Sequence, residues 1–518
     1  MTCSGILLSC GPNIAATAAS TASAAAAPER ALRQPRTLPT ASTTVNASTH
    51  STRDARNDAT TVVPTRVQLA DNNPNITAAC VSDYDGVHPQ SIAADETHIV
   101  TRSPSSHFDR RAFCSAAASI LVRPSALLAQ APPVASTRPD VATIDHERIL
   151  SAAARYLDLK PAPLTSLPCP RSPASPHDYY SEASRLTDGD AQPAEPLFTA
   201  HRDALFQLGL AVPALAAAFH LTGEARYVEQ AVRHLRAWFI DPDTQMVAAL
   251  KYAQVQLPIG RVSRNAITGR YEGLVEALPL VEVAQAIPFL AASPVTTDAD
   301  IAALRKWFGD YLAWLTGDEL AGARLPALAR DSRDHHGTSW MLQVCAYSTF
   351  AAPESSAPRS ETSSLTQLRH RYRSTLLRAQ VSARGTFPRE LTAPNAFRDS
   401  LFNLDMLAAI CQLLQTRFDS VWDYELQDGP GMRAAIAFHY PFIADPKTWP
   451  YRADAEHFDE LPGRRPSLLF CARAYQRPEY AETWKTLRPD PPSPDVLRTI
   501  PLHQPLLWVR QPPRRAET

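Results

Sequence analysis

"HLTGEARYVEQAVRHLRAWF", residues 220–239, holds the end of one helix and the body of the next. A glycine directly after a periodic apolar run ends a helix, because only glycine enters the left-handed conformation without steric cost, so the first helix is predicted to stop at Thr222-Gly223. Beyond it the apolar residues return at three-four spacing and charges fill the other face, the pattern of a helix buried on one side. The stretch is therefore read as a helical hairpin.

The same pattern recurs in "GLVEALPLVEVAQAIPFLAAS" (273–293), "ADIAALRKWFGDYLAWLTG" (299–317), "SWMLQVCAYSTFAA" (339–352), "QLRHRYRSTLLRAQVS" (367–382), "SLFNLDMLAAICQLLQTR" (400–417) and "GMRAAIAFHYPFIA" (431–444). Repeated hairpins over most of the chain after residue 144 predict a mainly α protein, an (α/α) toroid or incomplete barrel of helical hairpins spanning 144–510. No strand-rich segment competes.

The chain has 518 residues, 51 basic and 52 acidic, so no whole-molecule charge draws it to nucleic acid or to a polyanion. An acidic polymer would have to be gripped by a local basic cleft. No run of about 18 apolar residues stands out, and no membrane span is expected. Cys345, Cys411 and Cys471 sit inside apolar segments and read as buried thiols.

Residues 1–106, rich in Ala, Ser, Thr and Pro, show no period and are expected to be disordered. Next comes "FDRRAFCSAAASILVRPSALLAQAPP" (108–133), with Arg110 and Arg111, a small-residue apolar run and Ala129-Gln130-Ala131. That is the order of a twin-arginine export signal, assigned to 107–131, and it predicts a periplasmic or secreted protein. Such a signal begins some hundred residues late, so the expectation is a recorded start upstream of the true one, with 1–106 a non-native extension.

"RDHHGTSWMLQ" (333–343) puts an acid and two imidazoles before an apolar helical run. Asp334 suits an N-cap. With the helix starting there, His336, Trp340 and Gln343 share one face, which suits either a sugar-binding cleft or core. Adjacent helical residues point about 100° apart and rarely share an ion, which disfavours a metal on the two histidines; no metal and no cofactor is assigned. Arg389 and Glu390 lie in a loop, as surface charges or as site residues. Asp399-Ser400 reads first as the cap of the helix that follows, and Arg464-Arg465 as a solvated turn.

Three segments together resemble the alginate lyase superfamily: "LKYAQVQLP" with "TGRYEGLVEALPLVEVAQAI" (250–258 and 268–287), "DHHGTSWMLQ" (334–343), and "GTFPRELTAPNAFRDSLFNLDMLAAICQLL" (385–414), the last followed by "VWDYELQDGPGMRAAIAFHYPFI" (421–443) and "TWPYRADAEHF" (448–458). The resemblance implies a helical toroid that cleaves uronic-acid glycans by β-elimination, with a uronic-acid polysaccharide or oligosaccharide as partner. Removing the weakly acidic proton α to a uronate carboxylate requires donors that stabilise the enolate-like charge, and a base and an acid near the leaving oxygen.

The resemblance places His336 on the family's histidine. Asp334 and His335 stand where the family has two asparagines, Ala393 where it has the catalytic arginine, and Asp399 where it has the tyrosine. Catalysis is therefore assigned to Asp334, His335, His336, Arg389 and Arg398, the two arginines replacing the missing one and His335 offering an imidazole as base. Tyr252, Gln254, Arg270, Tyr271, Glu276, Trp340, Glu390, Asp399 and Asn403 are assigned to substrate, with Tyr252 or Tyr271 as a replacement phenol. Two other readings stay open: a glycoside hydrolase using Asp334 with Glu390 or Asp399, and a catalytically silent carbohydrate binder.

Overall fold

The computed structural model describes residues 136–184, 196–256, 268–317, 324–351 and 358–513. The expected leader at 107–131 and the segment before it lie outside the described residues.

Helices α1 (Val141–Ile144) and α2 (His146–Ala154) lead into strand β1 (Tyr180–Ala183). Then follow α3 (Ala200–Thr222), α4 (Ala225–Phe239), strand β2 (Tyr252–Gln256), a 3-10 turn over Tyr271–Ala277, α5 (Pro279–Leu290), α6 (Asp298–Thr316), α7 (Arg324–Asp331) and α8 (His335–Ala351). The chain continues with α9 (Pro358–Arg371), α10 (Leu377–Gln380), α11 (Ala396–Leu414), α12 (Met432–Ala444), α13 (Pro466–Tyr475), α14 (Pro478–Thr486), α15 (Pro494–Arg498) and α16 (Leu506–Val509).

The predicted hairpin is present: Gly223 caps α3 at φ 73° with its N–H on the Phe219 carbonyl. Packing sorts the helices into two rows. Helices α3, α5, α8, α11 and α13 touch in that order and are buried almost throughout, while α4, α6, α9, α12 and α14 lie outside them. This is the toroid of helical hairpins, with an apolar-all-round inner row and amphipathic outer helices. Inner helices approach closely at Gly209 of α3, where a Cβ would sit 2.3 Å from the Cβ of Pro279 at the start of α5. Cys345, Cys411 and Cys471 are free thiols in this core, as expected. Two stretches, Ala200–Thr222 and Tyr271–Leu290, are long and apolar enough to cross a membrane, which the reading of the sequence missed; they are core elements, with 61% and 78% of their most apolar windows buried inside the protein.

Two features depart from expectation. A two-stranded parallel sheet pairs Tyr180 with Tyr252 and Ala183 with Gln256, with a register slip between, and Gln254 takes φ 54° beside that slip. Strands this short carry too few residues for a period of two to stand out, and the partner is some seventy residues earlier. Arg465 is not a solvated turn residue: it is fully buried, its Nε 2.9 Å from Oδ2 of the buried Asp405, so the start of α13 is tied to the middle of α11.

Candidate functional site

The inner-row helix ends converge on a cavity of about 230 Å³ lined by Arg202, Gln254, Glu276, His335, Arg398 and Asp399, with apolar walls from Phe206, Leu278 and Phe402 and a further wall from Thr499, Ile500, Pro501 and His503 of the C-terminal segment.

The start of α8 explains the double histidine. Asp334 caps the helix: its Oδ1 accepts the backbone N–H of His336 at 3.0 Å, faces the His336 Nδ1 at 3.0 Å and accepts the Ser332 hydroxyl at 2.6 Å. Burial opposes ionisation of Asp334, but its bonds to His336 and Ser332 and the nearby imidazoles hold its carboxyl well below the usual range. The preceding N–H, that of His335, is capped from another part of the chain by Oε1 of Glu390 at 2.6 Å, and Oε2 of the same carboxylate faces His335 Nδ1 at 3.0 Å. The segment is thus both a capped helix start and a cavity wall. Burial drives the His335 imidazole toward neutrality, yet the Glu390 hydrogen bond and charge, helped by Asp399 and Asp334, carry its pKa above the ordinary histidine value.

Glu390 is 2% exposed and also accepts from Asn403 Nδ2 at 2.9 Å. Asn403 is therefore behind the carboxylate, fully buried, and does not line the cavity as expected. Asp399 lies in the first turn of α11 rather than at its cap, which is Asn395, and its Oδ1 accepts from Arg398 Nε at 3.0 Å. Arg398 lines the cavity; Arg389 is exposed and does not, because the turn over Glu390–Thr392 points Glu390 inward and leaves its neighbour outside.

His336 and the first segment continue the site beyond the cavity. The His336 ring lies 4.1 Å from that of His335 and 5.8 Å, edge on, from that of Tyr271. Tyr271 lines a neighbouring groove with Tyr252, Arg270, Trp314 and Arg324, and Arg270 is paired with Glu272. Strand β2 serves both spaces, Tyr252 in the groove and Gln254 in the cavity. Glu276 accepts the Tyr179 hydroxyl at 2.8 Å and the Ser181 hydroxyl at 2.6 Å, and Ser181 in turn accepts the Gln254 N–H at 2.8 Å. Burial raises the Glu276 pKa against these bonds.

Trp340 is a correction. It is 5% exposed, donates its indole N–H to the Leu315 carbonyl at 2.9 Å, and faces a different pocket with Arg371 stacked over it. Gln343 is fully buried, bonded to the Leu274 carbonyl. The shared face of α8 is core because neighbouring helices cover it on both sides. Arg202, Glu282, Arg498 and His503 line the cavity and were not singled out in the sequence. "HRD" at 201–203, charges opening an otherwise apolar helix, was a usable signal for Arg202; the C-terminal residues carried none.

The donor atoms of His335, Glu390 and Asp399 lie within 4.8 Å of one another, a donor set of the kind that binds zinc or manganese. Each carboxylate already has protein partners, Glu390 in His335 and Asn403 and Asp399 in Arg398.

An inner row of helices ending on imidazole, carboxylate and guanidinium groups defines a class, the helical toroid with a polar cavity at its helix ends. Within it, a family model described as alginate lyase matches residues 164–449, and the chain belongs to the alginate lyase family. Among solved structures it is similar to an alginate lyase from Bacteroides ovatus, at 21% identity and a TM-score of 0.57 over 70% of this chain and 93% of that one. It is also similar to alginate lyase A1-III from Sphingomonas species A1, at 11% identity and a TM-score of 0.36 over 66% and 90% of the two chains. A variant of A1-III complexed with tetrasaccharide matches at 11% identity and a TM-score of 0.42 over 71% and 95%. No curated protein matches the sequence.

Proposed function

We propose that the protein cleaves a uronic-acid-containing, alginate-like glycan by β-elimination, and that His335 and Asp399 do the chemistry. The observation that carries this reading is the grip of Glu390 on His335: with Nδ1 and the backbone N–H both held by one carboxylate, the ring lines the cavity with Nε2 left for a ligand. As an imidazolium, His335 neutralises the substrate carboxylate, the task the family's missing arginine would perform at Ala393. Asp399 then takes the proton from C5, the C4–O4 bond breaks as the C4=C5 bond forms, and the same proton passes to O4 of the departing sugar. Arg398 steadies the Asp399 carboxylate, and His336 with Tyr271 extends the binding surface into the groove.

Incubation of the protein with a panel of uronans tests this. Unsaturated product, read by the ultraviolet absorbance of the new conjugated double bond, is the expected result. New reducing ends without that absorbance would mean hydrolysis, for which the raised pKa of Glu276 offers an acid and Asp399 a base. Binding with neither would mean a silent carbohydrate binder. We further place the enzyme outside the cytoplasm; replacement of Arg110 and Arg111 by Lys is expected to block export, and processing unaffected by that change would refute it.

A further inference from the structure

The cavity carries two guanidinium groups on its α3 side that the reaction at His335 and Asp399 does not use. Arg202, in the first turn of α3, has Asp203 for a neighbour at 3.6 Å from its Nε, beyond hydrogen-bond range, and that Nε is buried without a hydrogen-bond partner among the described residues. Arg498, the last residue of α15, donates from Nη2 to Asp203 at 2.7 Å and from Nη1 to the exposed Asp495 at 3.2 Å, and lies over the Phe206 ring. Its Nε is likewise buried and unpartnered among the described residues. Two arginines thus share the carboxylate of Asp203, and both guanidinium groups, with side-chain exposures of 36% and 28%, line the cavity beside Phe206. The Nε positions are out of a ligand's reach, but the accessible parts of the two part-exposed guanidinium groups can pair with a carboxylate that enters the cavity.

The C-terminal segment walls the same side of the cavity. Thr499, Ile500, Pro501 and His503 form this wall, and it is clamped at both ends: the Glu282 carboxylate accepts the N–H groups of His503 at 2.8 Å and Gln504 at 2.7 Å, and Arg465 Nη2 donates to the Thr499 carbonyl at 3.1 Å. Glu282 itself is 1% exposed. The cavity, about 230 Å³, is also smaller than the ~300–1,000 Å³ clefts that bury whole drug-sized ligands, which suits the tip of a chain.

We propose that Arg202 and Arg498 bind the carboxylate of the terminal sugar of an acidic oligosaccharide, and that the clamped 499–503 segment stops the chain there, so that the protein engages uronan chain ends and not chain interiors. This rests on the reading of the cavity as the saccharide site. The guanidinium forks match a carboxylate in geometry as well as charge, and the Phe206 ring beneath Arg498 holds that guanidinium in place.

The test is calorimetric titration of the full chain, in an Asp399→Asn background so that cleavage does not consume the ligand. The probes are a saturated mannuronate trisaccharide, cellotriose as its neutral counterpart, and long polymannuronate. The trisaccharide is expected to bind at least about tenfold more tightly than cellotriose, and Arg202→Gln or Arg498→Gln to remove on the order of tenfold of that affinity while leaving cellotriose unchanged. The polymer is expected to bind in proportion to the number of chains, not of sugars. Loading of protein along the polymer's length, or trisaccharide affinity unchanged in both arginine variants, would overturn the proposal. Chain-end binding in a wild-type protein that yields no unsaturated product would fail the lyase reading and leave this one standing. A ladder of intermediate-sized unsaturated products would do the reverse.

Discussion

One carboxylate, that of Glu390, holds His335 at two points, accepting the backbone N–H at 2.6 Å on Oε1 and meeting the ring Nδ1 at 3.0 Å on Oε2. Glu390 acts through His335 and is a positioning residue. Glu390→Gln keeps the volume but removes the charge and sets an amide N–H₂ against one of the donors. Turnover is expected to fall on the order of 10²-fold, comparable to losing one preorganised donor. A merely structural role would leave the pH profile in place; here the alkaline limb is expected to move to lower pH, because Glu390 is a main reason that the His335 pKa is raised. An unmoved profile would reduce Glu390 to a helix cap.

The pH dependence of the wild type follows from the same pair. His335 has a raised pKa, so its interaction with Glu390 contributes stability that is fully present below the unfolded value of ~6.5 and is lost as pH rises through the folded value. Activity that needs the imidazolium falls over the same rise. Melting temperatures of the wild type and His335→Asn are expected to converge as pH increases through that window, and kcat to decline with them. A kcat that climbs there instead would make neutral His335 the base and remove Asp399 from that role.

Why was so much of the fold legible and so little of the site's wiring? The hairpin at Thr222-Gly223 rests on local chemistry, a left-handed glycine and a three-four period, and needs no knowledge of the rest of the chain. Asp334 as a cap is local too. Glu390 as the second cap of the same helix is not: its partner is 55 residues away in sequence, and nothing in "FPRELT" distinguishes an inward glutamate from an outward arginine. The assignment of Arg389 failed for that reason. Trp340 failed for another, since an aromatic one turn after a histidine looks the same whether the next layer is sugar or helix. Arg498 and His503 join the cavity only because Glu282 and Arg465 fold the C-terminal segment back onto α5 and α13, a contact without sequence signature.

Metal removal separates two uses of one cluster. His335, Glu390 and Asp399 bring their donor atoms within 4.8 Å, but the carboxylates are already engaged by His335, Asn403 and Arg398. Dialysis against a chelator is expected to leave turnover unchanged. Loss of activity restored by zinc or manganese would instead make the three residues ligands, and would shift neutralisation of the substrate carboxylate from the imidazolium to the ion.

Asp405 and Arg465 make a fully buried ion pair between α11 and α13, and Arg465 also supports the cavity wall at Thr499. Burial raises the Asp405 pKa and lowers that of Arg465, so each depends on the other for its charge. Asp405→Ala leaves a guanidinium buried without its counter-ion and is expected to cost about 3–5 kcal/mol of stability, measured by denaturant unfolding. A loss below ~1 kcal/mol would mean that the interior relaxes to admit water.

The double histidine makes the last prediction. His336 does not line the cavity; its ring sits between those of His335 and Tyr271, with Nδ1 on Asp334. Removing it leaves His335 held by Glu390 but no longer braced from the side. His336→Ala is therefore expected to lower kcat/KM about tenfold, mostly through KM for substrates long enough to reach the groove, with the short-substrate kcat much less affected. Asp334→Asn keeps an oxygen for the His336 and Ser332 donors and is expected to change stability by less than ~1 kcal/mol. His335→Ala, by contrast, removes the group facing the substrate carboxylate and is expected to abolish turnover on long and short substrates alike. If His336→Ala is the inactive variant and His335→Ala the tolerant one, the two imidazoles have the opposite roles, and the chemistry belongs to the groove beside Tyr271.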